Sequence, residues 1–305
     1  MNRRLSDYLK TLLLVVVILQ FLPPLFKNFK NYFITNLEAK TKVGVVPIKN
    51  MIMDSSDHIK HLKKFFKDPE IKAIVLNIDS PGGTPGAAQA LFGEILALKK
   101  KHTKPVVAFS ENVCASAAYY IACATDAIVM QPATVMGSIG SYIAFPTIEG
   151  LMNQLQIKYN IIKAGSNKTA GVIFKDITPE QQAMLQSVTD DSYMQFLADV
   201  KATRPKLADK DPKQWAEGTV FTGRQGLELG LVDELGSQSV LEQVLKAKGA
   251  PIQGDVLWVH PPKPSAFAKL FSREEDDANE SLSVTMNSGS LVSMLTQAFS
   301  SYLYA

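Results

Sequence analysis

Two short segments of this 305-residue chain combine residue types that can do chemistry. In Cys114-Ala115-Ser116-Ala117-Ala118-Tyr119-Tyr120, a serine has small neighbours. Small side chains let a substrate backbone come close, and the Ala117 amide after the serine is free to point at an oxyanion. In Asp79-Ser80-Pro81-Gly82-Gly83-Thr84-Pro85-Gly86, two glycines allow close backbone approach and positive φ. Amides at the start of the helix that follows can stabilise an anion. Both segments also have a purely structural reading. On its own residues Ser116 reads first as a helix N-cap, and the glycine segment equally well as a tight strand-to-helix turn. No Gly-Lys-Ser/Thr follows the glycines, so this is not a phosphate loop.

A serine nucleophile needs a base. His58 and His61 fall on an amphipathic helix, His102 closes a lysine-rich helix, and His260 borders a proline linker. None suggests a triad, and no Glu-x-x-His pattern makes a metal site of the first two. Serine–lysine pairs are an established alternative. The best-placed lysine is Lys168, in the small, polar stretch Lys163-Ala164-Gly165-Ser166-Asn167-Lys168-Thr169-Ala170-Gly171. A lysine acts as a base only if its pKa falls from about 10.4 to roughly 7–8. That shift corresponds to about 4 kcal/mol and requires a dry, packed site. Cys114 and Cys123, the only cysteines, read as small buried hydrophobes. Two cysteines exclude a Cys-rich zinc site and a disulfide framework. The sequence calls for no metal and no cofactor.

The elements that must position these residues alternate. Strands are expected at Val43–Ile48, Ile71–Ile78, Val106–Phe109, Ala127–Met130 and Ile157–Ile162. Helices are expected at Asp54–Phe66, Ala87–Lys101, about Ala115 to Ala124, and Thr178–Lys201, the last with Thr178 as N-cap, Pro179 at N1 and Gln181 closing a capping box. This alternation predicts an α/β fold with a mainly parallel sheet covered by helices. A proline linker at 261–264, an acidic run at 274–277 and an amphipathic tail helix over 291–302 follow.

The 32 basic and 29 acidic residues give +3, too little to indicate nucleic-acid binding. Residues 1–42 carry seven basic and two acidic residues, so the basic excess belongs to the N-terminal segment. There, Leu12–Leu19 is an unbroken apolar run preceded by Arg3, Arg4 and Lys10. With its flanks it approaches the ~20 residues of a bilayer crossing. No small-x-small cleavage site follows, which reads as an uncleaved signal anchor, with the short basic tail inside and the rest outside. The expected organisation is an anchor over 1–34, a catalytic domain over 35–250, and a linker with tail helix over 251–305.

Five ordered segments carry a resemblance. They are Asn77-Ile78-Asp79-Ser80-Pro81-Gly82-Gly83, Ala115-Ser116 through Tyr119-Tyr120-Ile121-Ala122, Thr134-Val135-Met136-Gly137-Ser138-Ile139-Gly140, Trp215-Ala216-Glu217-Gly218, and Val220 through Glu234. Together they resemble the signal peptide peptidase A (protease IV) family in its short, single-repeat form. The resemblance implies a Clp protease/crotonase-like fold. It implies Ser116 as nucleophile, Lys168 as general base, and the amides of Gly83 and Ala117 as oxyanion hole. It also implies peptide substrates such as cleaved signal peptides, and a homo-oligomer whose active site is shared between subunits. A bacterial inner-membrane location with the catalytic domain on the extracytoplasmic side follows. The chain departs from the family pattern at Ala117-Ala118, where Gly-Gly is usual, and at Ser166-Asn167, which stands before Lys168 in place of a pattern ending in tyrosine. An inactive membrane scaffold and a crotonase-type acyl-CoA enzyme are the alternatives; the Ser116/Lys168 match and the anchor argue against the latter.

Overall fold

The computed structural model describes residues 40–262. The anchor expected over 1–34 and the tail helix over 291–302 lie outside the described residues. Among the described residues, no helix is long and apolar enough to cross a membrane.

The Ile/Val-rich segments form the strands that their composition predicts. β1 is Thr41–Ile52, β2 is Ile71–Gly83, and β3 is Val106–Ala115. All three are parallel, with Val45 opposite Val75 and Val75 opposite Val107. They are joined by α1 (Ser56–Lys67) and α2 (Pro85–Lys101). Alternate residues enter different cores, as a pleated strand requires. Leu76, Ile78 and Ala108 pack with α1 and α2, whereas Ala73, Val75 and Val107 pack on the opposite face with α7 (Gln238–Ala247).

Beyond β3 the sheet forks. The first half of β3 pairs with β4 (Ala127–Met130), which pairs in turn with β7 (Glu234–Leu235). The last residues of β3 pair instead with β5 (Val135–Gly137), and β5 pairs antiparallel with β6 (Val220–Thr222). Thr134, fully buried, holds the fork together: its hydroxyl is 3.0 Å from Ser110 O and 2.9 Å from Glu111 O. The remaining helices are α3 (Ala117–Cys123), α4 (Glu149–Gln154), α5 (Pro179–Thr203) and α6 (Gly223–Leu229). The expected capping box at the start of α5 is present, with Thr178 and Gln181 each bonding the other's backbone.

Two expectations are corrected. Ile157–Ile162 forms no strand. Ile157 and Tyr159 are each 52% exposed and Ile162 fully exposed. Its apolar composition mimics a strand, but no strand among the described residues pairs with it to satisfy its backbone. The boundary expected at residue 250 falls before β8 (Val256–Val259), which pairs with β1 through Thr41 and Val256. The sheet therefore continues to Val259.

Candidate active site

Ser116 is the single residue between β3 and α3. Its backbone sits at φ 53°, ψ −126°, a region that costs a non-glycine residue about 1–3 kcal/mol. Two hydrogen bonds hold it there. Ser116 N donates to Gly137 O on β5 at 2.7 Å, and Tyr120 N donates to Ser116 O at 2.9 Å. This corrects the N-cap reading. Ser116 occupies the N-cap position, yet its side chain makes no capping bond, so the hydroxyl is left for other use. Ala117 is the first residue of α3, where helical geometry gives an amide no intrahelical acceptor.

The glycine segment lies against this corner. The expected turn is in fact the last part of β2, since Gly83 still pairs with Ile52 of β1. A Cβ at Gly83 would stand 2.0 Å from Ile52 O, so no side chain fits there. Gly82 has φ +118°, and a Cβ there would lie 3.1 Å from Ala117 N. Buried Ser80 braces the segment by donating to Asn50 O and accepting from Gly82 N. Gly82 is thus a site residue that sequence reading missed as such; the signal was its place beside Gly83.

A cavity of about 90 Å³ opens beside Ser116, with Gly83 and Ala117 also on its lining. Its apolar wall is Pro85, Ala88, Tyr120 and Phe196. Its size suits one modest side chain. The aromatic floor is fixed. Tyr120 packs on Phe92 at 4.8 Å and edge-on to Phe196 at 4.7 Å, and its hydroxyl donates to Asp199. Burial, reinforced by the Asp199 carboxylate, pushes the phenol well above its ordinary range, so Tyr120 is a neutral wall.

The structure brings Ser116, Gly83 and Ala117 together. Lys168 is not among the residues lining their cavity. It stands exposed in a 3-10 turn, Ser166–Thr169. That turn is tied down from two sides. Lys163 Nζ donates to Thr169 Oγ1 at 3.2 Å and also to Ser166 O. Gln181 Nε2, from the α5 capping box, reaches Ser166 O at 3.4 Å.

The other candidates are structural. Cys114 and Cys123 are buried and free. Burial pushes the Cys114 thiol far up and the Cys123 thiol up to about 12, so neither is a nucleophile. None of the four histidines lines the cavity; His102 packs on Phe66 at 5.3 Å. The long block near residue 230 supports the site from behind. Tyr119, fully buried, donates to Leu231 O at 2.8 Å, and Arg204 holds both Asp233 and Gly230 O.

Comparison with known proteins fits this geometry. The profile described as Peptidase family S49 matches residues 98–250, a span that includes both Ser116 and Lys168. A protein of Synechocystis sp. described as a candidate protease is 37% identical over 180 residues, 59% of this chain and 64% of its own. One from Methanocaldococcus jannaschii, described in the same way, is 34% identical over 185 residues, 61% of this chain and 58% of its own. Protease 4 of Salmonella typhi is 33% identical over 172 residues, 55% of this chain and 27% of its own. The chain thus spans less than two thirds of the length of these curated relatives. With the profile covering half of the sequence and both of its candidate reacting groups, the chain belongs to peptidase family S49.

Proposed function

We propose that this chain is a membrane-anchored serine endopeptidase of Clp protease/crotonase-like fold, cutting released peptides such as cleaved signal peptides. One observation carries the reading: Ser116 is held in a strained backbone, with its side chain making no capping bond, on the lining of a small, mainly apolar cavity. In this scheme the Ser116 hydroxyl attacks a peptide carbonyl. Lys168 takes its proton and later returns it to the leaving amine. The amides of Gly83 and Ala117 receive the oxyanion, each lowering the barrier by about 3 kcal/mol. The adjoining cavity accepts a small or apolar side chain of the substrate.

Lys168 is exposed in the single chain, whereas a lysine base must be removed from water. We therefore assign the base of each site to a neighbouring subunit of a homo-oligomer. The exposed apolar side chains Leu155, Ile157 and Ile162, close to Lys168 in sequence, are the kind of surface a second copy covers. The apolar N-terminal run is the anchor, in a bacterial inner membrane, with the catalytic domain on the extracytoplasmic side.

Peptide cleavage by the full chain, with a serine-directed probe as a second readout, tests this. Ser116→Ala should abolish both signals. Ser116→Ala and Lys168→Ala should each be inactive alone, yet regain activity when assembled together, because some interfaces then pair an intact serine with an intact lysine. Activity in Lys168→Ala near wild type would remove the lysine from the mechanism. No recovery in verified mixed oligomers would place each site within one chain.

A further inference from the structure

We propose that the end of the domain opposite Ser116 rests on an anionic phospholipid surface, held by lysines that the fold gathers onto one face. In a parallel sheet all strands start at one end, and the connecting helices run back to finish there. β1 starts at Thr41, β2 at Ile71 and β3 at Val106, while α1 ends at Lys67 and α2 at Lys101. Lys42 pairs with Ile71, Ile74 pairs with Val106, and Lys104 donates to Phe65 O at the end of α1. These termini therefore share one face.

Each terminus brings lysine. Lys40, Lys42 and Lys72 border an open groove of about 610 Å³ that also contains Glu70. Lys60, Lys63, Lys64 and Lys67 line a second, of about 460 Å³, along α1 with Asp68. α2 ends in Lys99, Lys100 and Lys101. Part of this charge is used internally: Lys42 pairs with Glu70, Lys63 with Glu94 at 3.3 Å, and Lys99 with Asp126 at 2.7 Å. Lys40, Lys64, Lys67, Lys100 and Lys101 remain exposed. The dipoles of α1 and α2 account for lysines in their last turns. They do not account for Lys40, Lys42 and Lys72 on the strand starts, nor for Lys60 in the middle of α1.

The chain's own connectivity selects the occupant. Residues 1–39, with the Leu12–Leu19 run, join the domain at Lys40 on this same face. This step rests on the anchor reading above. A membrane-inserted segment tethers the face it joins, and basic clusters next to such a segment bind anionic headgroups, each lysine strengthening the attraction about fivefold. β3 has ten residues, so Ser116 at its far end stands roughly 30 Å from that surface. The substrate it reaches is then a peptide that has left the bilayer.

The full chain, mixed with vesicles of phosphatidylcholine alone or with added phosphatidylglycerol, separates the two readings. Flotation reports anchoring, and labelling with a water-soluble amine reagent, read by mass spectrometry, reports the covered face. We expect flotation with both vesicles. Lys64, Lys67, Lys100 and Lys101 should be labelled about fivefold more slowly only where phosphatidylglycerol is present, and molar salt should reverse this. Lys49, exposed and in register opposite Asp79 of β2 toward the active-site end, should be labelled equally throughout. Equal labelling of the four lysines in both lipids overturns the proposal, as does flotation with neither. Flotation only with phosphatidylglycerol, with those lysines protected, upholds the basic face and overturns the anchor.

Discussion

Gly82 and Ser116 meet across the gap between β2 and β3: a Cβ built on Gly82 would stand 2.8 Å from Ser116 Cβ. The glycine is thus the wall against which the serine is set. Gly82→Ala must displace one of them, and it also strains φ +118°. A shift of about 1 Å in a reacting group can cost roughly 100-fold in rate. We expect a loss of that order in kcat/KM, together with a lower Tm. Cleavage near the wild-type rate in Gly82→Ala would show that this contact does not set the site.

Ser116 trades stability for position. At φ 53°, glycine costs less than serine. Ser116→Gly should therefore abolish cleavage and raise stability by about 1 kcal/mol. Ser116→Ala should abolish cleavage without that gain, because alanine keeps the strained Cβ. Denaturant titration of the two variants side by side measures the difference.

The cavity floor should set side-chain preference. Phe196, 7% exposed, packs edge-on to Tyr120 at the cavity wall. Phe196→Leu shortens that wall. Since one methylene in an apolar pocket is worth about tenfold or more in discrimination, the ratio of kcat/KM for leucine-bearing over alanine-bearing peptides should rise by about tenfold.

Gln181 links the α5 cap to the Lys168 turn, and its side chain is buried. Gln181→Ala should cost about 1 kcal/mol in stability through the lost capping box. If the turn positions the base, it should also lower kcat with KM little changed. Peptide kinetics and thermal unfolding, compared with Thr178→Ala, separate the two effects. Thr178→Ala loses the cap alone.

Arg204 and Asp233 should make stability depend on acid pH. Burial pushes the Asp233 carboxyl up, but the hydrogen bonds and charge of Arg204 outweigh it and hold the group below its ordinary 3.8. A depressed folded-state pKa means stability that is full above 3.8 and lost as pH falls through the folded value. The denaturation midpoint should therefore fall below about pH 4 in the wild type and less so in Asp233→Asn. Arg204→Ala, which leaves the half-buried carboxylate unpaired, should cost about 3 kcal/mol near neutral pH.

Much of this was legible in the residues. Runs of Ile and Val gave β1 to β4, although β1 and β2 run further than their most apolar stretches. Thr178, Pro179 and Gln181 marked the start of α5 because a capping box is local chemistry. The burial of Cys114 and Cys123 was legible from their apolar neighbours. The site segments were legible only as an ordered set: alone, Ser116 read first as an N-cap and the glycines equally well as a turn, and it was their order with three further segments that carried the resemblance.

What periodicity cannot report is pairing. Ile157–Ile162 has a strand's composition but pairs with no strand among the described residues, while Val256–Val259 is short and unremarkable in sequence yet pairs with β1, more than 200 residues earlier. The decisive features at the site are of this second kind. The φ of Ser116 is fixed by Gly137 O, which arrives only because the sheet forks at Thr134. The place of Gly82 against Ser116 exists only once β2 and β3 are in register. The sequence by itself determined which groups were available and in what order, since side-chain type and local capping are written in adjacent residues. The tertiary structure alone decided that Ser116 is strained and uncapped, and that Lys168 lies outside its cavity, because backbone strain and proximity come from hydrogen bonds and packing between residues far apart in the chain.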